Sequence, residues 1–296
     1  MDPTAVVVGT SRVHLGDLVY VGPFASLVAG RGEIVVGAET NIQDSVSIDA
    51  RTDGVDLGEQ VILAHGAAVR GPASIGHGGA CPGGASHCPS FVGFNALVDG
   101  GTVERDAMVG HLARVGPGVR IPSGRRVLPG ANISSQAQVP AKTALLVQGD
   151  RDFMNGVIEV NVEFAKGYAQ LRAENASNVR GINVDPGGTA FNPARNLPTL
   201  AGVATRYPSS PSRIIGDVRM EDDLLAVLRN VRYGSSLRAD EGEPFEVGTI
   251  ASMGANSTLH ALEHSHINLG DNGTYGAHSL VHAGPAFSAT TTSGAG

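Results

Sequence analysis

The chain has 296 residues, 42% hydrophobic and 17% charged, with a mean hydropathy of +0.03, enough apolar content for a packed core and too much for wholesale disorder. Forty-one glycines, 4% aromatic residues and no tryptophan exclude a helical bundle, whose interior loses about 1 kcal/mol for each glycine in place of alanine. The 21 basic residues stand against 28 acidic ones, a net charge of −7 with no basic run, so neither nucleic acid nor an anionic membrane surface is an expected partner.

At roughly 150 residues per domain the length suggests two domains. The opening segment MDPTAVVVGTSRVHLG lacks a basic stretch followed by an apolar one, and no apolar run is long enough to span a bilayer. A cytoplasmic protein is the expectation. Two cysteines do not make a disulfide scaffold.

From Leu15 onward aliphatic residues recur every six positions, often with glycine next. The blocks run Leu15-Gly16, Val21-Gly22, Leu27; then Val36-Gly37, Ile42, Ile48; then Leu57-Gly58, Leu63, Val69, Ile75-Gly76. After a break they resume as Val92-Gly93, Val98, and then Val109-Gly110, Val115-Gly116, Ile121, Val127, Ile133. A helix needs a period of 3.6 and a half-buried strand a period of 2. A period of six fits a parallel β-helix, in which each hexapeptide forms one face of a triangular coil. The aliphatic residue points inward, and glycine makes room at the corner. Val36, Ile42, Ile48, Leu57, Leu63 and Val69 are therefore expected inside.

The break contains GHGGACPGGASHCPS, which carries His77, Cys81, His87 and Cys88. Two cysteines and two histidines suit a zinc knot or a disulfide, but their spacing matches no standard zinc pattern. A plain exposed Gly/Pro loop is the simpler reading. After Pro140 the hexapeptides stop. Residues 155–174 read as a short extended entry followed by a helix within 157–174, closing a first domain over 1–175. The Pro-rich stretch 176–212 reads as a linker. From Arg213 a less regular β-helix pattern returns through 213–296 (Ile215-Gly216, Val231, Leu237, Val247-Gly248, Leu269-Gly270), and the last residues read as frayed.

NIQDSVSI (Asn41–Ile48), LAHGAAVRGPASIG (Leu63–Gly76) and FVGFNALV (Phe91–Val98) resemble the gamma-class carbonic anhydrases, including the carboxysomal gamma-carbonic-anhydrase-like scaffold domain. SLRADEGEPFEVG (Ser236–Gly248), LHALE (Leu259–Glu263) and AHSLVHAGPAF (Ala277–Phe287) resemble the same family a second time, as a shorter copy. The resemblance implies an all-β, left-handed parallel β-helix with a C-terminal helix on the first copy. It also implies a trimer or pseudo-trimer and a zinc lyase interconverting CO2 and bicarbonate. The zinc is held between subunits, by two histidines from one and a third from its neighbour. Iron or cobalt suits the same ligands.

Carried onto this sequence, the first copy departs from the pattern. Asp49 and Arg70 stand at two ligand positions and only His65 remains. The family's arginine and acidic pair become Val28, Gly30 and Arg31, while Gln43, Asp44 and Asn161 are kept. Taken alone, His65 also reads as an ordinary corner side chain. The second copy keeps Arg238, Asp240 and Glu241, the first ligand His260, and Glu263 at the position of a proton relay. Gly254 and Ala255 replace the Gln-Asp pair. His278 matches the second ligand, whereas His282 is one residue short of the third, with Ala283 in its expected place. A shift of one turns a strand side chain to the other face. The grouping of His260, His264, His266, His278 and His282 also reads as a solvated surface.

These complementary losses lead to the expectation of a site shared between a first and a second copy. His65 joins His260 and His282, Glu241 or Glu263 relays the proton, and His278 is a spare. The competing expectation is a non-catalytic scaffold or bicarbonate-binding assembly protein. A hexapeptide acyltransferase is a third, opposed by the RADEG stretch.

Overall fold

The computed structural model describes residues 1–174, 212–216, 218–220, 224–240, 245–262, 267–282 and 290–291. Two compact units divide the chain, Met1–Lys166 and Gly167–Gly296.

The first unit is a left-handed parallel β-helix with three sheets as its faces. One sheet stacks the strands Val6–Val8, Ser26–Ala29, Ser47–Ala50, Ala68–Arg70, Leu97–Asp99, Arg114–Val115 and Asn132–Ile133 in that order. Along it Leu27, Ile48, Val69, Val98, Val115 and Ile133 pair in register and are fully buried. Val36, Leu57 and Ile75 form a second inner column and Ile42, Leu63 and Val92 a third. All six expected inner residues are at most 2% exposed. Each full burial of such a side chain stabilises the stack by about 1.5–3 kcal/mol. Leu15 is an exception: it lies on the first coil, which pairs on one side only, and is 42% exposed.

The corners divide their labour differently from the sequence expectation. The left-handed backbone falls three residues after the inner aliphatic one and is taken by Leu18, Phe24, Glu39, Ser45, Gln60, Asn95, Asp106 and Leu112, all with φ between 52° and 59°. The glycine itself answers to crowding between coils. A Cβ on Gly37 would lie 2.4 Å from the carbonyl carbon of Gly58 in the next coil.

The Cys81/Cys88 loop bulges outward without breaking the stack, since Val69 still pairs directly with Val98 across it. Cys81 and Cys88 are joined in a disulfide.

A long helix, α1 (Gln148–Glu174), follows the last coil. It starts earlier than expected, and the extended entry over 155–157 is helix instead. Asp150 accepts a hydrogen bond from the Val147 amide at 2.9 Å, an N-terminal cap one turn upstream. Met154 and Ile158 bury against the outward-facing Ile62, Ala64 and Phe91, so tertiary packing overrides the Asn155-Gly156 turn signal. Arg151 holds Asp106 through two 2.8 Å hydrogen bonds and Arg126 holds Asp150 at 2.9 Å, fixing the helix on the coils.

The second unit also has parallel sheets. Ser212–Gly216, Ser235–Ala239, Thr258–His260 and Leu280–His282 form one; Val218–Met220, Phe245–Val247, Asn268–Leu269 and Thr290–Thr291 form another; Ile250–Met253 pairs with Gly273–Tyr275. Ile214, Val218, Leu237, Val247, Ile250, Met253, Leu259 and Leu269 make its core, joined by Val227 from a short helix, α2 (Leu224–Asn230). The inner residue of the first strand is Ile214, which pairs with Leu237; Ile215 pairs with Arg238 on the outward side. The expected linker over 176–212 lies almost wholly outside the described residues.

Candidate metal centre

Alternation along a strand sets the chemistry of both units: the residue after an inner aliphatic one faces outward. In the second unit Leu237 and Leu259 are inside, so Arg238 and His260 form the outward column, and His282 continues it. His260 pairs directly with His282, and their rings meet edge to face with centroids 5.4 Å apart.

This register corrects the sequence reading of the two later histidines. In the first unit the same column is Val28, Asp49 and Arg70. His260 therefore occupies the place of Asp49 and His282 the place of Arg70. No bulge is needed. The odd spacing arises in the turn, where Ala277 holds the place of His65 and His278 that of Gly66. His278 has φ 59° and is exposed, so it stands outside the outward column.

Arg238 and Asp240 are buried beside this column. The Arg238 guanidinium donates to Asp240 Oδ2 at 2.8 and 3.0 Å, and the Tyr168 hydroxyl donates to the same oxygen. Asp240 Oδ1 lies 3.4 Å from His260 Nε2. Burial alone raises a carboxyl pKa, but Arg238, His260 and the Tyr168 hydroxyl outweigh it, so Asp240 is held far below the usual carboxylate range. A permanent carboxylate behind an imidazole fixes the ring's orientation and keeps its other nitrogen basic, as in carboxylate–histidine–metal relays.

In the first unit the chemistry sits at the corners instead. Gln43 Oε1 accepts the His65 amide at 3.1 Å, and Asp44 Oδ1 lies 3.6 Å from His65 Nδ1. Both Asp44 and His65 are buried. One coil on, Phe94 stacks with His65 at 5.8 Å between centroids, and the His111 ring lies parallel to Phe94 at 4.4 Å. His111 Nδ1 accepts the Phe94 amide at 3.0 Å, and burial pushes the pKa of this imidazole down. Asn161 lies mid-helix rather than at a helix entry, its amide donating to the Val157 carbonyl at 2.7 Å.

Asp49 and Arg70 lie at the surface, Asp49 paired with Arg51 at 2.5 Å. Glu241, Glu263, His264 and His266 lie outside the described residues. Sequence reasoning missed Tyr168, Phe94 and His111. The last two had a readable signal, since they occupy the same corner position as Asp44 and His65 on successive coils.

The donor sets fit a borderline divalent metal. Imidazoles suit zinc, cobalt and iron, and His65 and His260 each have a carboxylate behind the ring.

No protein-family model matches the chain. It is 29% identical over 192 residues to a carbonic anhydrase of Methanosarcina thermophila, a match covering 57% of this chain and 72% of that protein. It is 32% identical over 168 residues to the carboxysome assembly protein CcmM of Nostoc sp., covering 53% of this chain but 28% of that protein. Carnitine operon protein CaiE of Escherichia coli matches at 32% identity over 120 residues, 40% of this chain and 54% of the relative.

Proposed function

We propose that this left-handed parallel β-helix protein is a gamma-carbonic-anhydrase-like, zinc-dependent carbonic anhydrase whose metal ligands are divided between its two copies, a reading supported by its likeness to a carbonic anhydrase and to a carboxysome assembly protein. The observation that carries the proposal is the complementarity of the two registers. Of the three ligand positions that the resemblance implies, the first unit has an imidazole at one, the corner residue His65. The second has imidazoles at the other two, His260 and His282 in the outward column, and Ala277 where His65 would stand. Together they make one complete set of three.

When bound, zinc at three neutral imidazoles supplies a Lewis acid that brings the pKa of water from 15.7 to about 7. His65, His260 and His282 would hold the ion, each through one ring nitrogen. Asp240 orients His260 and Asp44 backs His65. Arg238 keeps Asp240 ionised, and Gln43 fixes the backbone at His65. Glu241 or Glu263 would relay the proton to solvent. His278 takes no part. The divided ligand set suits a tandem of two diverged copies assembling as a trimer or pseudo-trimer, with 1–175 and 213–296 as the copies. Iron or cobalt can replace zinc at the same ligands.

A second reading, a non-catalytic scaffold or bicarbonate-binding assembly protein, is supported by the likeness to a carboxysome assembly protein. Stopped-flow measurement of CO2 hydration by the zinc-loaded full chain separates the two. Catalysis above the buffer rate that disappears in His260→Ala is the expected result. A zinc-loaded chain that leaves the buffer rate unchanged establishes the scaffold instead.

A further inference from the structure

The loop from His77 to Pro89 plays no part in the carbonic anhydrase reading, yet it gathers an unusual set of groups on the first unit. A cavity of about 390 Å³ lies beneath it, lined among others by His77, His87, Cys88, Asp56, Glu59 and Arg105. Cys88 at this wall is joined by the disulfide to Cys81, with the two Cα atoms 5.7 Å apart. Each imidazole is held from behind by a carboxylate of the underlying coil. His77 Nε2 lies 3.0 Å from Asp56 Oδ1, and His87 Nδ1 pairs with Glu59. The nitrogens engaged are opposite ones, which leaves His77 Nδ1 and His87 Nε2 as the donor positions. A carboxylate on one ring nitrogen is what orients a metal-ligating histidine.

We propose that this loop is a redox-switched zinc site: the disulfide closes it, and reduction opens it to Zn²⁺ held by Cys81, Cys88, His77 and His87. The chemistry balances with a dithiol as reductant. The dithiol gives two electrons and two protons to the Cys81–Cys88 bond, which breaks into two thiols while the reductant forms its own disulfide. Zinc then binds two thiolates and two neutral imidazoles, releasing the two thiol protons to solvent. Two sulfurs and two nitrogens are a tetrahedral structural zinc set. The glycines at 78, 79, 83 and 84 all have positive φ, a backbone that can rearrange around an ion without side-chain cost. In the oxidised chain the sulfurs are bonded to each other and no thiolate exists to bind.

The proposal is independent of the three-histidine centre, and its test separates the two by sulfur. The full chain is titrated with Co²⁺ before and after reduction by a phosphine that does not compete for metal. The reduced chain is expected to take up one more equivalent than the oxidised chain, with a thiolate-to-cobalt charge-transfer band that an imidazole-only site lacks. Cys81→Ser/Cys88→Ser abolishes both gains, and Asp56→Asn weakens the added site by about 10–100-fold through its orienting role. Equal cobalt uptake by oxidised and reduced chain, or a charge-transfer band that survives loss of both cysteines, overturns the proposal.

Discussion

The outward column of the first unit and that of the second occupy the same place in a coil and have opposite fates. Val28, Asp49 and Arg70 are half-buried or exposed, and Asp49 spends its charge on Arg51 at the surface. Arg238 and His260 are buried, with Asp240 locked between Arg238, Tyr168 and His260. At the corners the contrast reverses: Asp44, His65, Phe94 and His111 in the first unit, Ala255 and Ala277 in the second. One backbone period therefore offers two kinds of site. A charge is costly to keep where it is buried unless it is paired, and Arg238 and Asp240 are paired with one another. The second unit retains the column and the first retains the corner.

The largest effect sharpening this contrast is expected at Asp240. Asp240→Asn removes the carboxylate from a buried Arg238 and should cost about 3–5 kcal/mol of stability in urea unfolding. Asp49→Asn, in the surface pair with Arg51, should leave the unfolding midpoint where it was. Equal effects at the two positions break the comparison.

The inner columns should behave alike where the outer ones differ. Ile48→Ala and Leu259→Ala each leave a cavity in a fully buried position, expected to cost about 2–5 kcal/mol. A cost near zero at Leu259 by thermal unfolding means that the second unit is not built on a packed coil core. Gly37→Ala puts a methyl against the Gly58 backbone and should cost about 1–3 kcal/mol, by crowding rather than by backbone conformation. Gly130→Ala provides the control: it has φ 70° with open space around it, and isolates the conformational term.

The smallest effect depends on pH. Glu104 accepts hydrogen bonds from the Ser123 amide at 3.0 Å and from Arg120. Burial raises its pKa, but these partners outweigh burial and hold it below the ordinary 4.5. A carboxyl depressed in the folded state contributes stability that is full above that ordinary value and is lost as pH falls through the folded one. Glu104→Gln should therefore cost about 1 kcal/mol at neutral pH, and its unfolding midpoint should converge on that of the parent chain in acid. A gap that stays constant into acid contradicts the assignment.

The coils of the first unit were legible because one repeat of six specifies strand, corner and inner face together. Leu27, Ile48 and Val69 fall in one column for that reason alone. Helix α1 was legible only from residue 157 onward, because Asn155-Gly156 carries a local turn signal that packing of Met154 and Ile158 overrides. The histidines after Ala277 were misread because counting residues treats the turn as rigid. Strand pairing shows that His282 keeps the column and that the irregularity lies at His278. Tyr168 left no local mark, since nothing in a helix sequence states that its hydroxyl will meet Asp240, 72 residues away.

The central claim, one metal centre made from the corner of one unit and the column of the other, is tested most directly by zinc retention in single variants of the oxidised full chain. His65→Ala, His260→Ala and His282→Ala should each lose the ion, by more than the ~10–100-fold that loss of an orienting partner costs, and His278→Ala should retain it fully. Full zinc in His65→Ala, or loss of zinc in His278→Ala, contradicts the divided centre.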